Sequence, residues 1–350
     1  MMNLETANLW FPKYARQEPN DFVIDVSQSD FEMQTSLFDQ SNVVHRQLTP
    51  GIFQGRVLCA MVGRVSIFME FSSQAIEKQF STPQDLFSFC LVLNDTKQFV
   101  TNGKLKSKDM LCVTPPGGET TIVAPPDAIT LAFAVDRDAL LASLVLEPQL
   151  ADWLMGLGRN GVLIRSVNLV QTLRDRMFAA LEIALGTRDP ERRAVIDDIA
   201  LTGIASALTL EWLKINGLST VDRARGFQRF ERARTMLIND SGLMDRVRAG
   251  LTRELGSQRS LEKAFSDFAF LGPMAYLRVV RLHNARHKLL DPERADESIG
   301  DIAAEESFWD WSRFTSYYRK QFGELPSQTR QRAFEGKAPP ARRSLTSGVV

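Results

Sequence analysis

The chain has 350 residues, 44% of them apolar and 24% charged, and its 42 Lys and Arg equal its 42 Asp and Glu. This excludes a wholly disordered chain, a collagen, a coiled-coil rod and a small disulfide scaffold, and the length suits about two domains. The zero net charge argues against a uniformly basic nucleic-acid binder, yet it is a sum of unlike halves: residues 1–222 hold 19 Lys and Arg against 26 Asp and Glu, and residues 223–350 hold 23 against 16. Opposed halves of −7 and +7 point to an acidic module joined to one that faces nucleic acid.

The start, Met1 to Lys13, lacks a basic segment followed by an apolar one and does not read as a signal peptide. No stretch has the 18 or so apolar residues that a membrane span needs. The three cysteines, Cys59, Cys90 and Cys112, sit in apolar segments without CxxC spacing, so buried thiols are expected rather than bridges or zinc ligands. A cytoplasmic location is expected.

From residue 20 to about 145 short apolar runs alternate with turn signals. The runs are Gly55–Met61, Val65–Phe71, Leu86–Leu93, Met110–Thr114, Thr120–Val123 and Ile129–Val135; the turns are Asn102-Gly103, Pro115-Pro116-Gly117-Gly118 and Pro125-Pro126-Asp127. This spacing predicts a β-sandwich or small barrel. Residues 146–217 turn helical, with three- and four-residue apolar steps through Leu169–Leu185 and Ala194–Ile215. Their apolar faces suit either dimerisation or cover for the β-domain. A linker follows Gly217, helices run from 227 to about 335, and 336–350 reads as a disordered tail.

Two helix-turn-helix patterns lie in the basic half. In the second, Ile299 to Glu306 precedes a helix from Trp311 to Phe322 on which Phe314, Tyr318 and Phe322 form one buried stripe. Ser312, Ser316 and Arg319 lie opposite, flanked by Arg313 and Thr315, and Trp311 opens the helix beside them. Small, polar and basic residues on such a face allow close approach to a major groove and reach to guanine or phosphate. In the first, Leu261, Phe265 and Phe268 are the stripe, with Gln258, Arg259, Ser260, Glu262 and Lys263 as the polar face. Between them the 18 residues Pro273–Leu290 form a rod of about 27 Å, approaching the roughly 34 Å between successive major-groove faces.

These residues resemble the AraC/XylS family of transcription regulators. Leu282, Ala285, Arg286 and Leu289 look like its linker-helix signature. Ser298-Ile299, Ile302-Ala303, Phe308, Phe314, Tyr318, Phe322-Gly323 and Pro326 look like its second helix-turn-helix. The resemblance covers about 105 residues. It implies an α+β multidomain chain: a cupin-like sensor over 20–145, a helical dimerisation segment over 146–217, and an all-α double helix-turn-helix over 227–335. It also implies promoter DNA, RNA polymerase, a small-molecule effector and a second copy of the chain as partners, with activation the usual outcome. Ser307 stands where the family usually has glycine, and Leu255-Gly256-Ser257 is one residue short of the usual first turn, after a helix holding Arg248 and Gly250. A narrower resemblance, to the ethanolamine-utilisation regulator branch, rests on Leu48-Thr-Pro50-Gly51-Ile-Phe53-Gln-Gly55, Phe308-Trp309 and Phe322-Gly-Glu324-Leu-Pro326-Ser327, with Pro116-Gly117-Gly118 and Pro126-Asp127 adding to it. It does not assign the effector.

His283 and His287 have metal-binding spacing but no suitable third ligand nearby, and surface roles are expected; the only other histidine is His45. Too few histidines remain for a cupin-type metal site, so neither a metal nor catalysis is expected. Arg223, Arg225, Arg229, Arg232 and Arg234 read as a solvated linker and helix face. A β-barrel enzyme with a DNA-binding appendage, or a regulator whose β-domain only binds protein, are the alternatives.

Overall fold

A computed structural model describes residues 23–31, 44–94, 99–187, 189–215, 225–240, 255 and 257–334. The readings of Met1–Lys13, of Arg223, of the helix containing Arg248 and Gly250, of Gly256 and of the 336–350 tail lie outside the described residues. So does most of the linker, for the chain is already helical from Arg225.

The first domain is a two-sheet antiparallel sandwich. Its strands are β1 (Val23–Gln28), β2 (Val44–Gln47), β3 (Gly55–Met61), β4 (Val65–Ser72), β5 (Ile76–Ser81), β6 (Leu86–Val92), β7 (Phe99–Thr101), β8 (Lys104–Lys106), β9 (Met110–Thr114), β10 (Glu119–Ala124), β11 (Ala128–Asp136) and β12 (Val162–Arg165). One sheet has the order β1-β3-β4-β11-β6-β9-β12, the other β2-β5-β10-β7-β8. The predicted turns fall between strands: Asn102-Gly103 joins β7 to β8 with φ of 46° and 75°, the pair of positive values a two-residue hairpin favours.

Alternation along each strand decides what faces where. In the larger sheet Ile67, Met69, Phe71, Phe87, Phe89, Leu131 and Phe133 point outward into an apolar core with the helices. Phe68, Glu70, Ser88, Thr130 and Ala132 point inward, toward the second sheet, and line a cavity between the two.

Helices α1 (Arg137–Ser143), α2 (Pro148–Met155), α3 (Val167–Gly186) and α4 (Pro190–Ile215) follow. Ser166 caps α3 by accepting from the Leu169 amide at 3.1 Å. Leu169, Leu173, Met177 and Leu181 of α3, with Ile196, Ala200, Ile204 and Leu208 of α4, pack onto the outer face of the larger sheet. Their long apolar faces therefore cover the β-domain. The segment expected to be wholly helical contains β12, which completes the larger sheet against β9. Four residues are too few to show a period. Gly161, at φ +57°, brings the chain so close to Val113 that a Cβ would lie 2.1 Å from its carbonyl oxygen.

The second domain comprises α5 (Arg225–Asn239), α6 (Gln258–Ala269), α7 (Pro273–Leu290), a 3₁₀ turn at Pro292–Arg294, α8 (Ile299–Glu305), α9 (Trp311–Phe322) and α10 (Pro326–Phe334). Two aromatic cores hold it. Phe227, Phe230, Phe265 and Tyr276 fill the first and Ile302, Phe314, Tyr318 and Phe322 the second. Helix α7 contributes to both, so it is the shared spine. Pro273 takes its first position after Gly272, where a missing N–H costs nothing.

Candidate nucleic-acid interface

The second helix-turn-helix is α8 and α9. Ser298 caps α8 through the Asp301 amide at 3.0 Å, and Asp310 caps α9 through the Arg313 amide at 3.0 Å. Burial of Phe314, Tyr318 and Phe322 turns the opposite side of α9 to solvent. Trp311, Ser312, Arg313, Ser316 and Arg319 are exposed there, and all of them but Arg313 line an open groove together with Thr315, Lys320 and Leu325. Lys320 is an addition to the predicted face: it sits one position past the residues chosen by helical angle, and its long stem reaches the same groove. Trp311 is half exposed and tilts against Phe314 with ring centroids 5.9 Å apart, so it packs and presents an edge at once. Thr315 is half-buried and lines the same groove, with its hydroxyl oxygen itself buried.

In α6, capped by Ser257, Arg259, Glu262 and Lys263 are exposed and Gln258 and Ser260 half-buried, beside the buried Leu261 and Phe265. Gln258 donates to Glu262 at 2.8 Å, and Lys263 pairs with Asp267 at 2.9 Å. Arg259 is thus the residue of this face best placed to reach out.

The β-domain grips both units. Glu77 of β5 is fully buried; it accepts from Tyr276 Oη of α7 at 2.6 Å and pairs with Arg234 of α5 at 3.2 Å and Arg46 of β2 at 3.1 Å. Burial and the Glu77 carboxylate hold the Tyr276 phenol well above its ordinary range. Arg234 is therefore not part of a solvated helix face. At the second unit, Gln47 exchanges side-chain-to-backbone hydrogen bonds with Gln321 of α9, at 2.9 and 2.7 Å. The Gln47 amide donates to His283 Nε2 at 3.0 Å. His283, expected on the surface, is buried by that contact and by ring packing against Phe31 and Phe322. Arg286 is buried among Asp30 at 2.9 Å, Glu324 at 2.6 Å, and Tyr318 and Thr329 at 3.2 Å each.

Strands β2 and β5 also face the cavity. It measures about 190 Å³, lies between the sheets, and is lined mostly by apolar groups including Phe68, Ile76, Phe80, Leu86, Phe99 and Ile122. His45 and Lys78, paired in register across β2 and β5, line it too. One strand thus carries Lys78 toward the cavity and Glu77 toward the second domain. Burial, aided by the Lys78 charge, holds His45 well below its ordinary 6.5. Unfolded, His45 binds a proton below 6.5; folded, it stays neutral. Its contribution to stability is thus full above pH 6.5 and declines below it, by up to about 1.4 kcal/mol per pH unit. Urea melts at pH 7 and pH 5 should show the loss, and His45→Gln should flatten it.

Residues 252–332 match a family described as a helix-turn-helix domain. An XylDLEGF operon transcriptional activator of Pseudomonas putida is 28% identical over 220 residues, 61% of this chain and 65% of that protein, so the alignment extends well beyond the helix-turn-helix match. Both matches agree with the resemblance of the chain to AraC/XylS-family regulators. It spans just under two thirds of the length of these curated relatives. The regulatory protein HrpB of Ralstonia nicotianae is 36% identical over 83 residues, 22% of this chain and 17% of that one. Among solved structures, the AraC-like transcriptional activator CuxR covers 75% of this chain and 94% of its own at 17% identity and a TM-score of 0.40, too low to equate the folds residue by residue.

The departures from the AraC/XylS pattern have structural meaning. Ser307, where the family usually has glycine, sits in the turn before α9 with φ +63°. An L-residue is disfavoured there by about 1–2 kcal/mol. Ser307→Gly should therefore raise stability by about 1 kcal/mol without altering the exposed face of α9; a thermal melt that shows no gain would refute this. Gly323, which the chain keeps, ends α9 at φ +78°, and a Cβ there would lie 2.4 Å from Ile52 of the β-domain.

Proposed function

We propose that the chain is a one-component transcription regulator that binds promoter DNA through α6 and α9 and is controlled by a small molecule in the cavity of its β-domain. The observation that carries this reading is the pairing of two capped reading helices on one spine, α7, each with its aromatic side buried and its polar side exposed. The basic balance of residues 223–350 supplies attraction to phosphate, and the exposed Arg259 and Arg313 supply groups able to read guanine. Activation of transcription through RNA polymerase is proposed from the relatives named as activators, and a cytoplasmic location from the site of that work. No helix among the described residues is long and apolar enough to cross a membrane.

Dimerisation is proposed through α4. Its inner side covers the sheet, while Val195, Ile199, Leu210 and Leu213 remain exposed on the outside, an apolar row along one helix. Control is proposed as a population shift: an effector that binds one arrangement of β2 and β5 better than another biases the domain contacts those strands make. The cavity favours sensing over a purely protein-binding role for this domain.

The test is affinity for a DNA site selected from a random pool. Arg313→Ala or Arg259→Ala should each weaken specific binding by about 1–3 kcal/mol and relax preference at one position, while Lys320→Ala should lower the salt slope by about one unit. Unchanged affinity and preference in both arginine variants would remove these helices from the interface.

A further inference from the structure

The cavity between the sheets also constrains what can fill it. Its wall carries one acid and one base, Glu70 of β4 and Lys78 of β5, and these form an ion pair with each other. Its third titratable side chain of this kind, His45, is held neutral by burial. The lining is therefore charge-compensated before anything enters. A carboxylate would compete with Glu70 for Lys78, and an ammonium would compete with Lys78 for Glu70; either leaves one charge unpaired in an apolar enclosure, which is costly. Two further groups await a partner. The Ser72 and Thr82 hydroxyls are buried, at 2% and 4% residue exposure, and neither meets a hydrogen-bond partner among the described residues. Both belong to the cavity lining, Ser72 at the end of β4 and Thr82 just past β5. The lining follows β5 from Ile76 to Thr82, six residue steps or about 20 Å along the strand, so the cavity is elongated.

We infer that the cavity takes an uncharged, elongated, mainly apolar molecule that hydrogen-bonds through a hydroxyl or carbonyl at an end, and not an organic acid or amine. This rests on reading the cavity as the effector site. It also sets the chain apart from the ethanolamine branch that its motifs resemble, because ethanolamine is small, polar and cationic.

The experiment uses the full chain at pH 7 with three probes of one shape: 4-butylphenol, 4-butylbenzoate and 4-butylbenzylamine. The phenol should raise the unfolding temperature by several degrees at large excess, as a ligand of the native state must. The benzoate and the amine should do so far less. Ala132→Phe and, separately, Ser88→Leu fill the cavity from two strands and should abolish the response. Glu70→Gln leaves Lys78 without its carboxylate and should turn the preference toward the benzoate. Stronger stabilisation by either ion, no shift from any probe, or a phenol response that survives both filling variants would overturn the inference. Should the phenol bind in the cavity yet leave affinity for the selected DNA site unchanged, the ligand class stands and the sensing role falls.

Discussion

Glu77→Ala should destabilise the folded chain by about 3–5 kcal/mol, a large share of the stability of an ordinary domain. The carboxylate is fully buried and takes hydrogen bonds from Arg46, Arg234, Tyr276 and, at 3.0 Å, Gln79. Removing it leaves two guanidiniums facing each other at the seam between the domains, with a tyrosine hydroxyl stranded beside them. The cost falls on that seam, so urea unfolding should change from one transition to two as the domains separate. Arg234→Ala alone should cost less, because Arg46 still neutralises the carboxylate. A Glu77→Ala protein that melts in one transition within 1 kcal/mol of the unaltered chain would show that the seam contributes little.

Arg286→Ala should have a comparable effect at the second unit, again about 3–5 kcal/mol. The guanidinium is 4% exposed, bridges Asp30 of the first domain to Glu324 after α9, and lies 4.7 Å over the Phe322 ring. Arg332 also reaches both acids, at 2.5 and 2.9 Å, and softens the loss. Burial pushes the Glu324 carboxyl upward, but Arg286 and Arg332 outweigh it and hold it below the usual 4.5. Its folded value being depressed, Glu324 contributes stability above about pH 4.5 that is lost as pH falls through the lowered value. The Arg286→Ala protein should accordingly lose less on acidification than the unaltered chain, as acid titrations followed by circular dichroism would show.

Much of the helical half was legible because its signals are local. The stripe Phe314, Tyr318, Phe322 and the helix Trp311–Phe322 that carries it lie within twelve residues, and the structure places both as expected. The main strands were legible for the same reason: Val65–Ser72 and Ala128–Asp136 alternate visibly. What was not legible depends on distant partners. Ile76-Glu-Lys-Gln-Phe-Ser81 reads as an indifferent polar stretch, and Glu77 is buried only because Arg234 and Tyr276, 157 and 199 positions later, meet it. His283 looked like surface for the same reason, its partner being Gln47. Arg286 was legible as a family signature, but its tie to Asp30 was not.

The opposed charges of the two halves acquire a second meaning here. Acidic Glu77 and Asp30 of the first domain pair with basic Arg234, Arg286 and Arg332 of the second. Part of the imbalance is spent holding the domains together, and the remainder, on α6 and α9, faces outward.

The most direct test of the central claim is methylation protection of guanines on a selected DNA site by the full chain. Two reading helices on the α7 spine predict two clusters of protected major-groove guanines on one face of the duplex, about 10 base pairs apart, with the α9 cluster lost in Arg313→Ala and the α6 cluster lost in Arg259→Ala. A pool from which no sequence is enriched, or a single protected cluster unaffected by either substitution, would contradict it.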